Sequence, residues 1–327
     1  MTRHGPLASA LFFRAAHGLG WICLCAVLAG AVPAQAPPRH SDTSQAGAAV
    51  DEEPITPIPQ PPAADPLKLA LGEHLFNDKR LSADGQLSCS SCHDLRSNGA
   101  QSSAAHRGLS PFDTLTVFNA ALNFRLNWEG NFRSLDAQAE SSLENSVNLH
   151  TNVDEVLRKL NADPDVVRDF RAAYGRPPER DNFLDALVTF ERSLLTPGSR
   201  FDRWLGGDNS ALSAAELEGY RLFKSFGCSS CHQGVNVGGN LFERQGIFRP
   251  LVAGQPERVR VPSLRNVATT APYFHDGSAA TLEDAVKRMA AAQLDRTLTD
   301  QQVAFLVAFL QTLTGTYRGS PVVGAKP

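Results

Sequence analysis

Apolar residues follow helical spacing along much of the chain. One stripe, with members mostly three and four positions apart, consists of Phe183, Leu184, Leu187, Val188, Phe190, Leu194 and Leu195. A second stripe consists of Val303, Leu306, Val307, Leu310 and Leu313. A Thr299–Gln302 capping box precedes the second stripe and Gly315 follows it, and these are start and stop signals of a helix. Because no segment alternates convincingly with the period of two typical of strands, the pattern predicts an all-α fold.

A Leu-Phe helical pattern occurs twice, and each copy leads into the same five residues, CSSCH. The first copy reads LGEHLFNDKRLSADGQLSCSSCHD and the second reads LEGYRLFKSFGCSSCHQG. A capping box at Ser213–Glu216 opens the second helix, and Gly227 can close it. The repetition predicts two related helical domains in one chain.

The N-terminal part of the chain differs in composition from the rest. Residues 1–36 combine a positive start, an uncharged apolar run and the small-residue ending AQA, which is typical of a secretory signal peptide cleaved near Ala36. The apolar run is shorter than the roughly 20 residues of a membrane-spanning helix, with an uncleaved anchor as the alternative. Residues 37–65 are rich in proline and poor in large apolar residues, which predicts an extended or disordered linker. We therefore predict an N-terminal domain at 66–200, a C-terminal domain at 201–319 and a tail at 320–327.

Composition narrows the classes of function. The 327 residues are 42% hydrophobic, which allows a substantial core. The net charge of −3 and the lack of any Lys/Arg run give no basic face, so we expect no nucleic-acid partner. No P-loop, nucleophile elbow or paired-carboxylate motif is present, which removes support for a hydrolase or a nuclease.

The two CSSCH pentapeptides carry the strongest chemical signal. C-x-x-C-H is the attachment sequence of c-type haem, in which two thiols bind the macrocycle and the adjacent His binds the iron. The attachment residues are Cys89, Cys92 and His93 in the first copy and Cys228, Cys231 and His232 in the second. A zinc half-site would need two more ligands, and a redox dithiol would give the His no role. We predict two cytochrome c-like domains, each with one covalently bound haem.

Few residues are available as a second axial ligand of either iron. Apart from Met1, the only methionine is Met289, in the amphipathic segment TLEDAVKRMAAAQL downstream of the second motif. We predict that Met289 binds the second iron, which would raise the potential of that haem; core packing is the alternative. His106 lies shortly after His93 in a polar loop, where it is either a displaceable ligand of the first iron or an exposed histidine.

Seven segments together carry a resemblance to a known family. They are LGEHLFNDKRLS, TVFNAALNF, LNWEG, LDAQA, FERSLLTPGSRFDR, VPSLRNVATTAPYFHDGSAATLEDAV and FLQTLTG. Through them the chain, from about Leu67 to Tyr317, resembles the bacterial dihaem cytochrome c peroxidases. The resemblance implies that peroxide reacts at a low-potential N-terminal haem and that electrons arrive at a high-potential C-terminal haem. It also implies one calcium ion between the two haems.

The resemblance implies roles for individual residues. Met289 matches the methionine ligand of the C-terminal haem, and His106 lies within one residue of a displaceable histidine ligand of the N-terminal haem. Trp128 matches a tryptophan that lies between the haems. The remaining matches are Gln138 in the peroxide pocket, His275 near a haem edge, and three calcium ligands, namely Asp113 in place of an asparagine and the carbonyls of Thr270 and Pro272.

One position departs from the family pattern. The family has a glutamate, the expected acid–base group for peroxide cleavage, shortly after the glutamine that Gln138 matches. Here the stretch SSLENSVNLH has Asn148 at the corresponding spacing. Asparagine can donate and accept hydrogen bonds, but it does not titrate. Glu144 and His150 are nearby alternatives if the loop is threaded differently.

Three functions are compatible with these residues. The first is a periplasmic peroxidase that reduces hydrogen peroxide to water with electrons from a small cytochrome c or cupredoxin. The second is an oxidase of a protein or organic substrate, like the family's relative that matures methylamine dehydrogenase. The resemblance implies that this relative has a tyrosine where this chain has Met289. The third is a dihaem electron carrier or redox sensor, because Asn148 cannot act as an acid. The resemblance favours the peroxidase, and it leaves a homodimer open because family members often dimerise.

Overall fold

The helices account for most of the regular structure. The structure, a computed structural model, describes residues 53–100, 112–252 and 256–325. Its helices are α1 (Pro66–Asn77), α2 (Cys89–Cys92), α3 (Leu135–Glu144), α4 (Val153–Asn161), α5 (Pro164–Tyr174), α6 (Arg180–Ser193), α7 (Arg200–Leu205), α8 (Ala214–Ser225), α9 (Leu282–Leu294) and α10 (Asp300–Gln311). None of the helices in these ranges is long and apolar enough to cross a membrane. The expected signal peptide, residues 1–36, lies outside the described ranges.

Within the described ranges, four short strands form two antiparallel hairpins that the sequence pattern does not predict. Strand β1 (Phe242–Arg244) pairs antiparallel with β2 (Arg258–Arg260), and β3 (Thr316–Tyr317) pairs with β4 (Ser320–Pro321). With two or three residues each, these strands are too short to show a period of two. The prediction of a mostly helical fold is confirmed, with these hairpins as small additions.

The helices enclose two separate hydrophobic cores. The first core combines α1 and α3 to α6, and its largest fully buried side chains include Phe76, Phe170 and Phe183. The second core combines α7 to α10, in which the rings of Phe201 and Phe309 have centroids 5.1 Å apart. Each core thus lies beside one of the two CSSCH motifs.

Corresponding glycines bring two helices together in each core. Gly72 of α1 contacts α6 at Ala186, and Gly219 of α8 contacts α10 at Phe305. A Cβ atom at either glycine would overlap the backbone carbonyl oxygen of the facing residue. The two glycines occupy the same place in the repeated Leu-Phe segments, LGEHLF and LEGYRLF. The repeat in sequence therefore corresponds to a repeated helix crossing.

Substitution of Gly219 by alanine is expected to destabilise the second core. Its new methyl group would meet the Phe305 carbonyl, and overpacking of this kind typically costs about 1–3 kcal/mol. Chemical denaturation of the haem-loaded protein measures the loss. Glu218→Ala on the same helix is the control, because it removes only a partly exposed ion pair with Arg221. Equal stability of the Gly219 and Glu218 variants would contradict the prediction.

The two halves of the chain meet at Thr196. Asn119 and Asn266, one from each repeat, both have left-handed backbones, with φ of 61° and 59°. Their side-chain amides donate to the Thr196 hydroxyl oxygen over 2.8 Å and 3.0 Å respectively. All three residues are buried. One hydroxyl thus joins equivalent loops of the two repeats.

Each end of the described chain packs in the core formed by the other half of the chain. Ile55, in the proline-rich segment, is 1% exposed and packs in the second core, and Ile58 is 4% exposed. Of the two expectations for the linker, disorder is therefore wrong for this part, whereas an extended segment without helix or strand is what residues 53–65 form. In the opposite direction, Val322 of the expected tail packs in the first core, and Arg318 pairs with Glu73 of α1 at 2.6 Å.

Candidate active site

The first CSSCH motif opens onto a large cavity. This first cavity has a volume of about 450 Å³ and is lined by Cys89, Cys92 and His93. Helix α3 and the turn after it contribute Gln138 and Asn148 to the same lining. The structure therefore brings together the haem-attachment residues and the two expected peroxide-pocket residues.

The second motif opens onto a smaller cavity with a potential axial ligand. This second cavity has a volume of about 270 Å³ and is lined by Cys228, Cys231, His232 and Met289. The Thr281 hydroxyl accepts from the backbone N–H of Asp284 and caps α9, the helix that carries Met289. The only methionine outside the first residue thus lies in the same cavity as the second attachment site.

Both CSSCH histidines are buried beside backbone carbonyl oxygens, which favours the neutral imidazole. His93 Nδ1 lies 3.1 Å from the Gly99 carbonyl oxygen, and His232 Nδ1 lies 3.2 Å from that of Val237. Burial lowers the pKa of His93 and lowers that of His232 to about 4. Because Nδ1 donates its hydrogen to a carbonyl in each ring, Nε2 keeps a lone pair for a metal. The rings fit the role of haem-iron ligands.

The thiols fit covalent attachment better than either alternative. Burial raises the pKa of Cys89 to about 12 and that of Cys228 to about 11, so neither is the acidic thiol of a redox dithiol. Within the described ranges, no group of three or more His, Cys, Asp or Glu side chains is arranged to hold a metal. A zinc site built on either C-x-x-C therefore has no support in this part of the chain.

Residues from three parts of the described chain line both cavities and form the seam between them. They are Asp113, Thr114, Leu115, Thr116, Asn123, Trp128 and Arg260. Trp128 donates from Nε1 to the Asp113 carbonyl oxygen over 2.9 Å, and the Asp113 N–H donates to the His275 carbonyl oxygen over 2.6 Å. The Trp128 and His275 rings have centroids 6.3 Å apart. An aromatic side chain thus connects the two cavities.

The internal repeat explains why two of these aromatic residues are neighbours. Asn127 and Phe274 have φ of 67° and 70° at equivalent turns, one in each half of the chain. Trp128 and His275 directly follow them and therefore occupy equivalent positions. His275 is 4% exposed, and its Nδ1 has no hydrogen-bond partner among the described residues.

The same internal repeat relates Met289 to Ser142. Helices α3 and α9 begin at Leu135 and Leu282, and Ser142 and Met289 each lie two helical turns further along. Ser142 lines the first cavity, as Met289 lines the second. The Ser142 hydroxyl oxygen accepts from Gln138 Nε2 over 2.9 Å. The first cavity therefore has a small side chain at the place where the second has a thioether.

The departure at Asn148 is not compensated by the expected neighbours. Glu144, Asn148 and His150 are all exposed, but of the three only Asn148 lines the first cavity. The structure gives no support to either residue as a substitute acid.

Glu191 is a cavity residue that the sequence reasoning missed. It lies on α6 and lines the first cavity, and its Oε2 atom is buried without a hydrogen-bond partner among the described residues. Burial raises its pKa to about 8. Its electrostatic effect contributes to raising the pKa of Cys89. In the sequence, Glu191 is a polar residue between Phe190 and Leu194 of an apolar stripe. Nothing in that pattern indicates that its side chain lies in a cavity.

The raised pKa of Glu191 predicts a pH-dependent stability. The folded protein keeps this proton up to about pH 8, whereas the unfolded chain releases it near 4.5. The unfolded state therefore binds fewer protons between these values, and the free energy of unfolding falls as the pH rises, by a few kcal/mol in total (roughly 1.4 per pKa unit). In Glu191→Gln this contribution disappears, so the variant should gain stability relative to the wild type between pH 5 and 8. Denaturation at several pH values tests this, with Glu144→Gln as control; parallel profiles for all three proteins would contradict it.

Two expected metal sites remain predictions. Asp113 and Pro272 both lie close to Gly277. A Cβ atom placed on Gly277 would be 3.4 Å from Asp113 Oδ2 and 3.1 Å from the Pro272 ring. Thr270 also lines the second cavity with them. The three expected calcium ligands are thus neighbours. His106 lies outside the described residues.

Comparisons with known proteins agree with this arrangement. The sequence profile of the di-haem cytochrome c peroxidase family matches residues 66–210, and that of cytochrome c matches residues 217–314. Cytochrome c551 peroxidase of Nitrosomonas europaea is 38% identical over 83% of this chain and 87% of its own length. Cytochrome c peroxidase Ccp of Escherichia coli is also 38% identical, over 81% of this chain, but the match spans only 62% of that relative's length. A crystal structure of a MauG-like protein associated with microbial copper homeostasis superposes with a TM-score of 0.67 at 28% identity, covering 79% of this chain and 93% of that one.

Proposed function

The chain belongs to the dihaem cytochrome c peroxidase family and is an oxidoreductase of the peroxidase type, and on that premise we propose that it reduces hydrogen peroxide to water in the periplasm. Its two cytochrome c domains imply two c-type haems. Each turnover consumes one peroxide, two electrons and two protons and yields two waters. The electrons come from a small redox protein, for which a cytochrome c or a cupredoxin is the proposed class.

The observation that carries this proposal is the asymmetry between the two cavities. The second cavity offers His232 and Met289, an imidazole and a thioether that would hold a haem iron suited to electron transfer at raised potential. The first offers His93 but has Ser142 at the position equivalent to Met289. A small oxidant would need a haem iron with a site free to bind it, so we assign peroxide to the first cavity and arriving electrons to the second.

Residues of the first cavity would bind and orient the substrate. Cys89, Cys92 and His93 would hold a haem, which would supply the redox chemistry of peroxide reduction. Gln138, held by its hydrogen bond to Ser142, presents an amide that can donate to or accept from a peroxide oxygen. Asn148 can bind the same substrate but cannot deliver a proton. We therefore expect turnover limited by proton transfer.

Trp128 is the proposed relay between the cavities. Its ring lines both, and its indole N–H is fixed by the Asp113 carbonyl. We propose that His106 is displaced from the first iron on activation, that His275 lies near a haem edge, and that a calcium ion bound by Asp113, Thr270 and Pro272 stabilises this region. A homodimer is compatible with these roles.

Removal of the Met289 thioether is expected to lower the potential of the second haem. Methionine stabilises the reduced iron, and axial-ligand choice spans about 0.8 V across haem proteins, so a shift on the order of 0.1 V is expected in Met289→Ala. Spectroelectrochemical titration measures it. Val286→Ala, which lines the same cavity, is the matched control. An unchanged potential in Met289→Ala would remove Met289 from the ligand set.

The lack of a carboxylate at position 148 favours a second candidate, an electron carrier or redox sensor. An oxidase of a protein or organic substrate is disfavoured by the resemblance, which implies a tyrosine in that kind of enzyme where this chain has Met289. One experiment distinguishes the peroxidase from the electron carrier or redox sensor. The haem-loaded protein, supplied with calcium and with its second haem reduced first, is mixed with a reduced cytochrome c and hydrogen peroxide. Donor oxidation well above the uncatalysed rate supports the peroxidase; a rate near the uncatalysed one, with both haems still reducible, supports the carrier.

A further inference from the structure

Arg260 is a buried cation shared by the two cavities. It ends strand β2, where it pairs with Phe242, and it is 3% exposed. Its side chain lines both the first and the second cavity. Within the described ranges, no other Lys or Arg lines both. Because of this position, the Arg260 guanidinium can contact a ligand in either cavity.

The contacts of Arg260 do not neutralise its charge. Its Nε donates to the Asn127 carbonyl oxygen over 3.1 Å, and its Nη1 lies 3.5 Å from the Val261 carbonyl oxygen. In the part of the chain that the structure describes, no carboxylate forms an ion pair with it. Arg265 provides the contrast, since its buried guanidinium pairs with Asp202 at 2.7 Å. Burial lowers the pKa of Arg260 only to about 10, so it remains charged at neutral pH.

A buried, charged guanidinium is costly unless an anion accompanies it. The fork of N–H donors in arginine matches a carboxylate, which it can bind through two parallel hydrogen bonds. His275 adds a second signal from the second cavity, because its buried Nδ1 lacks a partner among the described residues. An uncompensated buried cation beside one cavity, together with a buried ring nitrogen that has no partner among the described residues, indicates a polar ligand with an anionic group.

Haem has two propionate groups, which are anionic near neutral pH, and each cavity is adjacent to one attachment motif. We propose that Arg260 binds propionate carboxylates of both haems and is the shared counter-ion at the seam between the cavities. This inference rests on the two haems that the cytochrome c domains imply, and not on the peroxidase activity. Its consequence is electrostatic: one positive charge stabilises the reduced form of both irons, so it raises both potentials together.

Three variants test the assignment. Arg260→Gln removes the charge, Arg260→Lys keeps the charge but loses the fork, and Arg258→Gln is the matched control, an exposed arginine at the start of the same strand. Spectroelectrochemical titration gives the two midpoint potentials. Resonance Raman spectra, recorded fully oxidised and half-reduced to separate the haems, report the propionate bending bands. A pyridine haemochrome assay counts haems per chain.

We expect both midpoint potentials to fall in Arg260→Gln and the propionate bands of both haems to shift in Arg260→Gln and Arg260→Lys, with Arg258→Gln unchanged. Unchanged potentials and bands, or a change at one haem only, would overturn the proposal. If Arg260→Gln retains fewer than two haems, the test rests on the propionate bands of Arg260→Lys. A shift of these bands at both haems supports the shared contact, and a shift at one haem or at neither overturns it. Peroxide turnover is not a readout, so failure of the proposed peroxidase function would leave this result interpretable.

Discussion

Replacement of Asn148 by glutamate is expected to raise the rate of peroxide reduction by on the order of 10²–10⁴, the usual contribution of a general acid–base group. Asn148 lines the first cavity beside the attachment residues, so a carboxylate there would face the same space as Gln138. The introduced carboxylate can accept a proton from one peroxide oxygen and return it to the departing oxygen, which an amide cannot do. The wild-type protein is therefore expected to be slow relative to Asn148→Glu.

Steady-state oxidation of a reduced cytochrome c over a range of peroxide concentrations measures this effect. The gain should appear in the maximal rate at saturating donor, and it should depend on pH because the new group titrates. Asn148→Gln keeps the amide on a longer side chain and is the matched control; Glu144→Gln alters an exposed carboxylate outside the cavity. If Asn148→Glu and Asn148→Gln turn over at the wild-type rate, proton transfer at this position does not limit the reaction, and another group in the cavity must supply the proton.

Replacement of Ser142 by methionine is expected to abolish peroxide turnover. The repeat relates position 142 to Met289, because both lie two turns after the start of equivalent helices. A thioether at this position would lie in the first cavity as Met289 lies in the second, where it could bind the iron opposite His93. A haem with two protein ligands mainly transfers electrons, so the first site would become like the second.

Two measurements distinguish this outcome from simple damage. The optical and EPR spectra of Ser142→Met should show a second methionine-ligated, low-spin haem, and the potential of the first haem should rise. Ser142→Ala is the control, because it removes the hydrogen bond to Gln138 without adding a ligand. Lost turnover with an unchanged first-haem spectrum would mean that the substitution acts only through Gln138 or through packing.

Local signals in the sequence were sufficient for several features. The Ser213 and Thr299 hydroxyls cap α8 and α10 as their capping boxes predict, and Gly227 has the positive φ expected after a helix. Some boundaries differed: α10 ends at Gln311, before the expected stop at Gly315. The short strands gave no signal because a period cannot be read over so few positions. The buried part of the linker was missed because Ile55 finds its apolar partners in the second core, far along the chain.

The sequence by itself determined the chemistry of attachment, since two thiols and a histidine must reach one macrocycle from a single short motif. It also determined the all-α class through helical spacing, and it placed Met289 and Asn148 as exceptional residues. Only the tertiary structure decided which groups share a cavity. Arg260 contacts the Asn127 carbonyl from a distant part of the chain, and Glu191 reaches the first cavity from a helix far downstream of the first CSSCH motif. Burial raises the pKa of Glu191 and lowers that of Arg260, and neither forms an ion pair with another described residue. Those properties depend on what folds around a side chain, which no spacing along the sequence records.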